Sequence, residues 1–278
     1  MTAASEISPL SWETRSLVVL GDSTTVGLGD PLPGGGWRGY GPLLAEALSA
    51  TDLHNLSFTG ARAADVRWRQ LPRALEARPD VVTIVVGMND TLRSDFDARQ
   101  MHDDLDAVVG TLTAAGAVVL LVRFHDHAQV FRLPGPLRRA LRGRIEALNE
   151  VVSSVASGHD RAAVLDLDTM PGAYDVAAWS VDRLHPSELG HRILASGFAA
   201  LLDEFGCVVP NPVSMVCSGG ANPGPIQHVA WLLIKGLPWL ARRGRDLLPY
   251  AMVIIVRSLL GMEHSRPPAT VERIRAAG

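Results

Sequence analysis

The chain has 278 residues, of which 47% are hydrophobic and 20% charged, and its formal net charge is −3. This composition is that of an ordinary globular protein with a sizeable core, so it excludes a mainly disordered chain. Because the charge is small and slightly acidic, the chain has no overall basic field, and we expect no nucleic-acid partner.

The N-terminus and the cysteines bear on the cellular compartment. The opening sequence MTAASEISPLSWETR has no basic start and no apolar stretch of the kind found in Sec-type signal peptides. Cys207 and Cys217 are too few for a disulfide framework, and we expect reduced thiols. We therefore predict a cytoplasmic protein with a flexible lead over residues 1–14.

Short apolar runs rich in Val, Ile and Leu alternate along the chain with stretches of helical spacing. The runs are unbroken, which is typical of strands buried on both faces. They lie at residues 15–21, 52–58, 80–87, 117–124 and 162–168, and the helical stretches at 41–50, 61–77, 97–116 and 136–156. This alternation predicts a three-layer α/β/α fold with a five-stranded parallel sheet.

A further helix is predicted after the fifth strand. Pro186 disfavours helical geometry at His185 and suits the first position of a helix that runs to about Glu204. Residues 208–225 are rich in Pro, Gly, Asn and Ser, and we interpret them as a linker.

Residues 226–278 differ from the rest of the chain because they are apolar and basic, and we predict a helical C-terminal extension. Five basic residues against one acidic residue give residues 226–262 a charge of +4. Their longest uncharged apolar run has ten residues, too short for a transmembrane helix, which needs about 20. We favour a segment that folds back onto the acidic body or serves as a lid or a dimer surface, and peripheral membrane contact is the alternative. The oligomeric state is left open.

Ser23 occurs in GDSTTVGLGD, where the first predicted strand ends. A serine hydroxyl is a poor nucleophile until a base takes its proton. Asp182 and His185 occur in DRLHP, and a spacing of three lets both side chains lie on one side of a turn. In that arrangement the carboxylate orients the imidazole and the imidazole faces the hydroxyl, as in a Ser–His–Asp triad.

Two further residues are candidate donors to the oxyanion that forms when an ester carbonyl is attacked. Gly60 in NLSFTGARAADV follows the second strand, where a glycine lets a backbone N–H approach a ligand. Asn89 in VVGMND follows the third strand, and its amide can donate two hydrogen bonds. Because the carboxyl-end loops of parallel strands share one edge, we expect Ser23, Gly60 and Asn89 to converge there.

These stretches resemble, in the same order, the four blocks of the SGNH hydrolases, also called the GDSL esterase family. The resemblance covers residues 15 to about 204 and implies a flavodoxin-like hydrolase domain over residues 15–207. Ser23 would be the nucleophile, His185 the general base and Asp182 its orienter. The backbone N–H groups of Ser23 and Gly60, with the Asn89 side chain, would form the oxyanion hole. Thr24 stands where the family's popular name has Leu.

The resemblance implies serine-dependent hydrolysis of a small or acylated ester, of the esterase or lipase type, including deacetylation of a sugar or small molecule. No metal and no organic cofactor is expected. An acyltransferase or a thioesterase with the same triad is the alternative. A metal-dependent phosphoesterase that uses Asp22, Asn89 and His185 as ligands, or a non-catalytic membrane-associated module, is a more distant one.

Other polar residues near these blocks have ordinary interpretations. We expect Asp22 and Asp90 to form local hydrogen bonds with loop backbone rather than to act in catalysis. The two histidines of the sequence HDH at residues 125–127 suggest a metal, but solvated loop residues or substrate contacts are favoured. Trp179 is expected to pack beneath the turn that carries Asp182 and His185.

Overall fold

The computed structural model of the protein describes residues 11–130 and 135–218. The predictions for residues 1–10 and for the extension at 226–278 lie outside the described residues. Within the part of the chain that the structure describes, no helix combines the length and the hydrophobicity required to cross a bilayer.

The predicted five-stranded parallel sheet is confirmed. The strands are β1 (Ser16–Gly21), β2 (Asp52–Asn55), β3 (Val81–Val85), β4 (Val118–Arg123) and β5 (Ala162–Asp166). Their order in the sheet is β2-β1-β3-β4-β5, and every pairing is parallel.

Helices cover both faces of the sheet, as predicted. The helices are α1 (Ser23–Val26), α2 (Tyr40–Leu48), α3 (Ala63–Asp65), α4 (Leu71–Glu76), α5 (Met88–Thr91), α6 (Ala98–Ala114), α7 (His127–Val130), α8 (Gly135–Ser157) and α9 (Glu188–Glu204). Right-handed crossovers place α2 on one face of the sheet and α6 and α8 on the other. Helix α9 packs against α2, and α6 packs against α8.

The expectation that all strands are buried on both faces is wrong at the two edges of the sheet. Every residue of β1 and β3 is buried, whereas three of the four residues of β2 are exposed and β5 is mostly half-buried. An edge strand has a neighbour on one side only. The sequence DLHN of β2 agrees with this position, since three of its four side chains are polar.

Two helical predictions need correction. The stretch at 61–77 is not one regular helix, because a π-helical turn at Val66–Gln70 separates α3 from α4. Pro186 is not the first residue of the last helix, which begins at Glu188. Ser187 caps that helix by accepting the Gly190 N–H at 3.3 Å, a role for which serine is favoured over an apolar residue.

The described part of the predicted linker, residues 208–218, is bound to the body by backbone hydrogen bonds. The N–H of Val208 donates to the carbonyl of Trp12 at 2.8 Å, and the N–H of Asn211 donates to that of Ala47 at 3.1 Å. Cys207, directly before this segment, is a buried free thiol.

Candidate active site

The candidate nucleophile lies on a turn whose backbone is fixed by the sheet. Gly21 ends β1 with φ +142°, and a Cβ atom there would lie 2.1 Å from the carbonyl oxygen of Val85 on the neighbouring strand. Glycine is needed because this clash is with backbone and no side-chain movement relieves it. Asp22 then caps α1 by accepting the Thr24 N–H at 3.0 Å, and Ser23 is the first helical residue.

Gln70 holds the same turn from the other side. Its Oε1 accepts the N–H of Gly21 at 2.9 Å, and its Nε2 donates to the Gly21 carbonyl at 2.9 Å. Strand β2 has already ended at Asn55, so the buried Gln70 amide supplies the pairing that a longer strand would have supplied. The π-helical turn carries Gln70, and π-helical turns are frequent at functional sites.

His185 lies between Ser23 and Asp182. Its Nε2 is 2.8 Å from the Ser23 Oγ, and its Nδ1 is 2.6 Å from the Asp182 Oδ2. An ionised carboxylate only accepts hydrogen bonds, so Nδ1 carries the imidazole proton and Nε2 is left to accept from the serine hydroxyl. The structure therefore brings together the residues predicted as nucleophile, base and orienter.

Asp182 is fixed by hydrogen bonds from its own turn. Its Oδ1 accepts from the Ser180 hydroxyl at 2.6 Å, the Leu184 N–H at 2.8 Å and the His185 N–H at 3.0 Å. Burial acts to raise the pKa of Asp182, but the hydrogen bonds and the charge of His185 outweigh burial and lower the pKa to about 2. The carboxylate is therefore ionised at neutral pH and orients the imidazole.

A cluster of rings backs the turn of Asp182 and His185. Trp179 pairs with Pro186 in an antiparallel bridge, and its ring centroid lies 4.7 Å from that of His125 and 4.9 Å from that of His127. The prediction that Trp179 packs against this turn is confirmed. The expectation of solvated histidines is wrong, because His125 and His127 are only 1% and 4% exposed.

The two buried histidines are neutral at neutral pH. Burial lowers the pKa of His125 to about 4 and that of His127 well below its usual range. The backbone of Leu184, in the turn of Asp182 and His185, acts to raise the pKa of His127 and partly offsets the effect of burial. Over residues 11–130 and 135–218, no group of three His, Cys, Asp or Glu side chains is placed to hold a metal ion.

The loops of Gly60 and Asn89 meet the nucleophile turn. The Nδ2 of Asn89 donates to the Asp22 Oδ2 at 3.1 Å and to the Ala61 carbonyl at 3.2 Å. These acceptors belong to the residue before Ser23 and the residue after Gly60. The three candidate oxyanion-hole residues are therefore neighbours, and both N–H bonds of the Asn89 amide already have acceptors within the protein.

Asp22 and Asp90 are buried carboxylates beside these loops. Asp90 accepts from the Ala63 N–H at 3.3 Å and from the Arg62 Nε at 3.2 Å. Burial is the main influence on both groups and raises the pKa of each to about 6. The expected local hydrogen bond is present at Asp22, which also contacts the Asn89 amide. At Asp90 the expectation is wrong, because its partners Ala63 and Arg62 belong to another loop.

An ion-pair network ties the loop after α1 to the start of α9. The Arg38 guanidinium lies 2.8 Å from the Asp30 carboxylate and 2.8 Å from that of Glu188. Glu188 also accepts the Ser218 N–H at 2.7 Å. Since Glu188 directly follows the loop of His185, the network joins the two halves of the site and anchors residue 218 beside them.

Sequence reasoning missed the residues that support the site, namely Gln70, Arg38 and Glu188. Gln70 stands within a helical stretch and gave no signal that it faces a strand end. Arg38 and Glu188 are charged residues of the kind that normally lie on the surface. A signal for them would have required knowledge of which loops pack together.

The position of the site follows from the topology of the sheet. The strand order reverses between β1 and β3, and ligands of such sheets bind in the crevice at the carboxyl ends of the strands there. Ser23 follows β1 and Asn89 follows β3. A flavodoxin-like sheet with a Ser–His–Asp arrangement at this crevice defines an α/β serine hydrolase.

The comparison with protein families agrees with this class. The profile of the GDSL-like Lipase/Acylhydrolase family matches residues 19–193. The chain belongs to this family, and it is a carboxylic ester hydrolase. The resemblance of its four sequence blocks to SGNH hydrolases is thereby confirmed.

Individual relatives are distant in sequence. An acetylxylan esterase of Geobacillus stearothermophilus is 26% identical over 161 residues, which are 52% of this chain and 68% of that protein. The crystal structure of TesA superposes with a TM-score of 0.53 at 26% identity, over 68% of this chain and 99% of the other. The lipase/acylhydrolase of Enterococcus faecalis gives a TM-score of 0.54 at 22% identity, over 69% of this chain and 96% of the other.

Proposed function

We propose that the protein cleaves carboxylic esters through an acyl-enzyme on Ser23, with His185 as general base and Asp182 as its orienter. The observation that carries this proposal is the hydrogen-bond chain from Ser23 Oγ through His185 to Asp182, with distances of 2.8 and 2.6 Å. The Asp182 carboxylate has its other oxygen fixed by backbone and hydroxyl donors, which supports a preorganised imidazole.

The proposed reaction has two proton-balanced halves. The His185 Nε2 takes the hydroxyl proton as the Ser23 Oγ attacks the ester carbonyl carbon. The resulting oxyanion accepts from the backbone N–H groups of Ser23 and Gly60 and from the Asn89 amide. The imidazolium then gives its proton to the leaving alcohol, and His185 next activates the water that releases the carboxylic acid and restores the serine.

For the substrate we propose short acyl groups, acetyl above all, on a sugar or small polar alcohol. The similarity to a protein described as an acetylxylan esterase supports this choice. The placement of the site supports it as well, since the His185 side chain is 17% exposed and a hydrated leaving group can approach from solvent.

The test compares acetate release from acetylated xylo-oligosaccharides with hydrolysis of p-nitrophenyl acetate, butyrate and octanoate and of an acyl thioester. We expect acetyl esters to be preferred and the activity to disappear in Ser23→Ala but not in Ser154→Ala. A preference for octanoate or for the thioester would overturn the substrate assignment alone. Undiminished activity in Ser23→Ala would overturn the mechanism.

A further inference from the structure

The Asn89 side chain has a donating end and an accepting end of nearly the same shape. Such an amide can turn over unless its neighbours distinguish the NH₂ group from the carbonyl oxygen. Here the NH₂ group faces two acceptors, the Asp22 carboxylate at 3.1 Å and the Ala61 carbonyl at 3.2 Å. A turned amide would bring its oxygen against both of these oxygens, which is unfavourable.

Asp22 is the stronger of the two acceptors. It is only 4% exposed, and its pKa of about 6 leaves it mostly ionised at neutral pH. Its hydrogen bond is therefore charge-assisted and poorly screened, whereas the Ala61 carbonyl is neutral. Its other oxygen accepts the Thr24 N–H at 3.0 Å. The cap of α1 therefore fixes the carboxylate, and the carboxylate in turn fixes the amide of Asn89.

We propose that Asp22 is a positioning residue for ester hydrolysis, which holds the donor end of the Asn89 amide beside Ser23 and Gly60, where the oxyanion forms. This inference rests on the proposed function. The two N–H···O distances at Asn89, 3.1 and 3.2 Å, are at the long end of the normal range, so a developing oxyanion can share one of these protons. Asp22 itself does not touch the substrate.

Asp90 provides a matched contrast. It is also buried, follows a strand end and bears a carboxylate, but its oxygens contact the Ala63 N–H and Arg62 rather than the amide of Asn89. If loss of a buried charge near the site were the whole cause of a lower kcat in Asp22→Asn, then Asp90→Asn would lower kcat in the same way.

The experiment is a double-mutant cycle of Asp22→Asn and Asn89→Ala in the full-length chain, assayed with p-nitrophenyl acetate. The asparagine at position 22 keeps the size of the side chain, but its single oxygen cannot accept from both Thr24 and Asn89. We expect Asp22→Asn to lower kcat about 10- to 100-fold with KM changed by less than about threefold. In the Asn89→Ala background the same substitution should cost less than about twofold, because its target is already gone.

Equal losses in both backgrounds would show that Asp22 acts independently of Asn89, and an unchanged kcat in Asp22→Asn would overturn the inference directly. Asp90→Asn should give additive effects with Asn89→Ala. Since burial disfavours the ionised form of Asp22, its neutralisation should not unfold the protein. If Asp22→Asn does unfold, Asp22→Ser repeats the test, because a serine can still cap Thr24 but is too short to reach Asn89.

Labelling of the native enzyme with a fluorophosphonate distinguishes failure of the role proposed for Asp22 from failure of the proposed function. If Ser23 is labelled and the cycle is additive, only the role of Asp22 is wrong. If Ser23 is not labelled in the folded native protein, the proposed function fails first.

Discussion

The protein contains a second set of the same three residue types, and it differs from the first in geometry. In the first set the Ser23 Oγ lies 2.8 Å from the His185 Nε2, and the His185 Nδ1 lies 2.6 Å from Asp182. In the second, Ser154 on α8 lies 3.4 Å from the His102 Nε2, and the His102 Nδ1 is 3.7 Å from Asp103, which is beyond hydrogen-bond distance.

The supports of the two carboxylates explain the difference. Asp182 is 12% exposed and accepts from two backbone N–H groups of its own turn, whereas the Asp103 side chain is 62% exposed. Asp103 also directly follows His102 on a helix, and adjacent helical residues do not face each other. Residue types alone therefore do not make a triad; a turn that fixes the acid against the base does.

The largest expected effect is on the base. His185→Ala should lower kcat by about 10⁴-fold or more, because the serine hydroxyl loses its proton acceptor. His102→Ala, in the second set, should change kcat by less than about twofold. Steady-state kinetics with p-nitrophenyl acetate measures both, and comparable losses in the two variants would abolish the distinction between the sets.

The second largest loss of kcat is expected when the orienting acid, Asp182, is replaced. Asp182→Asn is expected to lower kcat by about 10³- to 10⁴-fold, because an amide can neither stabilise the imidazolium nor hold the same imidazole tautomer. Asp103→Asn should leave kcat within about twofold of the native value. Rates measured in parallel with circular dichroism of each variant test this, and a near-native rate in Asp182→Asn would show that His185 needs no orienter.

A smaller effect, on stability, concerns the strand end that positions Ser23. Gly21→Ala should lower the free energy of unfolding by about 3 kcal/mol, because the new Cβ meets the Val85 carbonyl at 2.1 Å. Gly34→Ala is the control, since a Cβ there meets nothing within 4 Å, and it should be nearly neutral. Urea unfolding of both variants measures the difference. Equal stability of the two variants would mean that the neighbouring strand β3 does not restrict position 21 to glycine.

The effect that is smallest at neutral pH, and grows as the pH falls, concerns the histidines that back the first set. Because the pKa of His125 falls from 6.5 in the unfolded chain to about 4 in the folded one, the unfolded state takes up a proton first as the pH falls through this window. His125 therefore costs the native protein up to about 3 kcal/mol of stability between pH 7 and pH 4. In His125→Phe this loss should be absent.

The quantity to measure is the difference between variants in how their free energy of unfolding depends on pH. The raised pKa values of Asp22 and Asp90 act in the opposite direction, since they favour the folded state as the pH falls through about 6. Urea unfolding at pH 7, 5 and 4 of the native protein, His125→Phe and the exposed control His54→Phe isolates the contribution. An unchanged pH dependence in His125→Phe would mean that His125 is protonated in the fold.

Much of the fold and the main residues of the site were predictable. The central strands are continuous apolar runs, so their burial and their parallel pairing follow from the sequence. The positions of Ser23 and Asn89 follow as well, because each comes directly after such a strand and the strand ends share one edge. The pairing of Asp182 with His185 required only a turn with a spacing of three.

The supporting contacts were not predictable in the same way. The burial of His125 and His127 depends on Trp179, which is about 50 residues away in sequence, as the numbering shows. The pairing of Gln70 with Gly21 depends on a π-helical turn, whose register no periodicity of apolar residues specifies. Such contacts are set by tertiary packing, which a local pattern does not contain.

Intact-mass analysis after treatment with a fluorophosphonate tests the central claim most directly. Native protein, Ser23→Ala and Ser154→Ala are compared after folding is verified by thermal unfolding. The account predicts one adduct on the native chain and on Ser154→Ala, and none on Ser23→Ala. An adduct on Ser23→Ala, or none on the folded native chain, would contradict the assignment of Ser23 as the activated nucleophile.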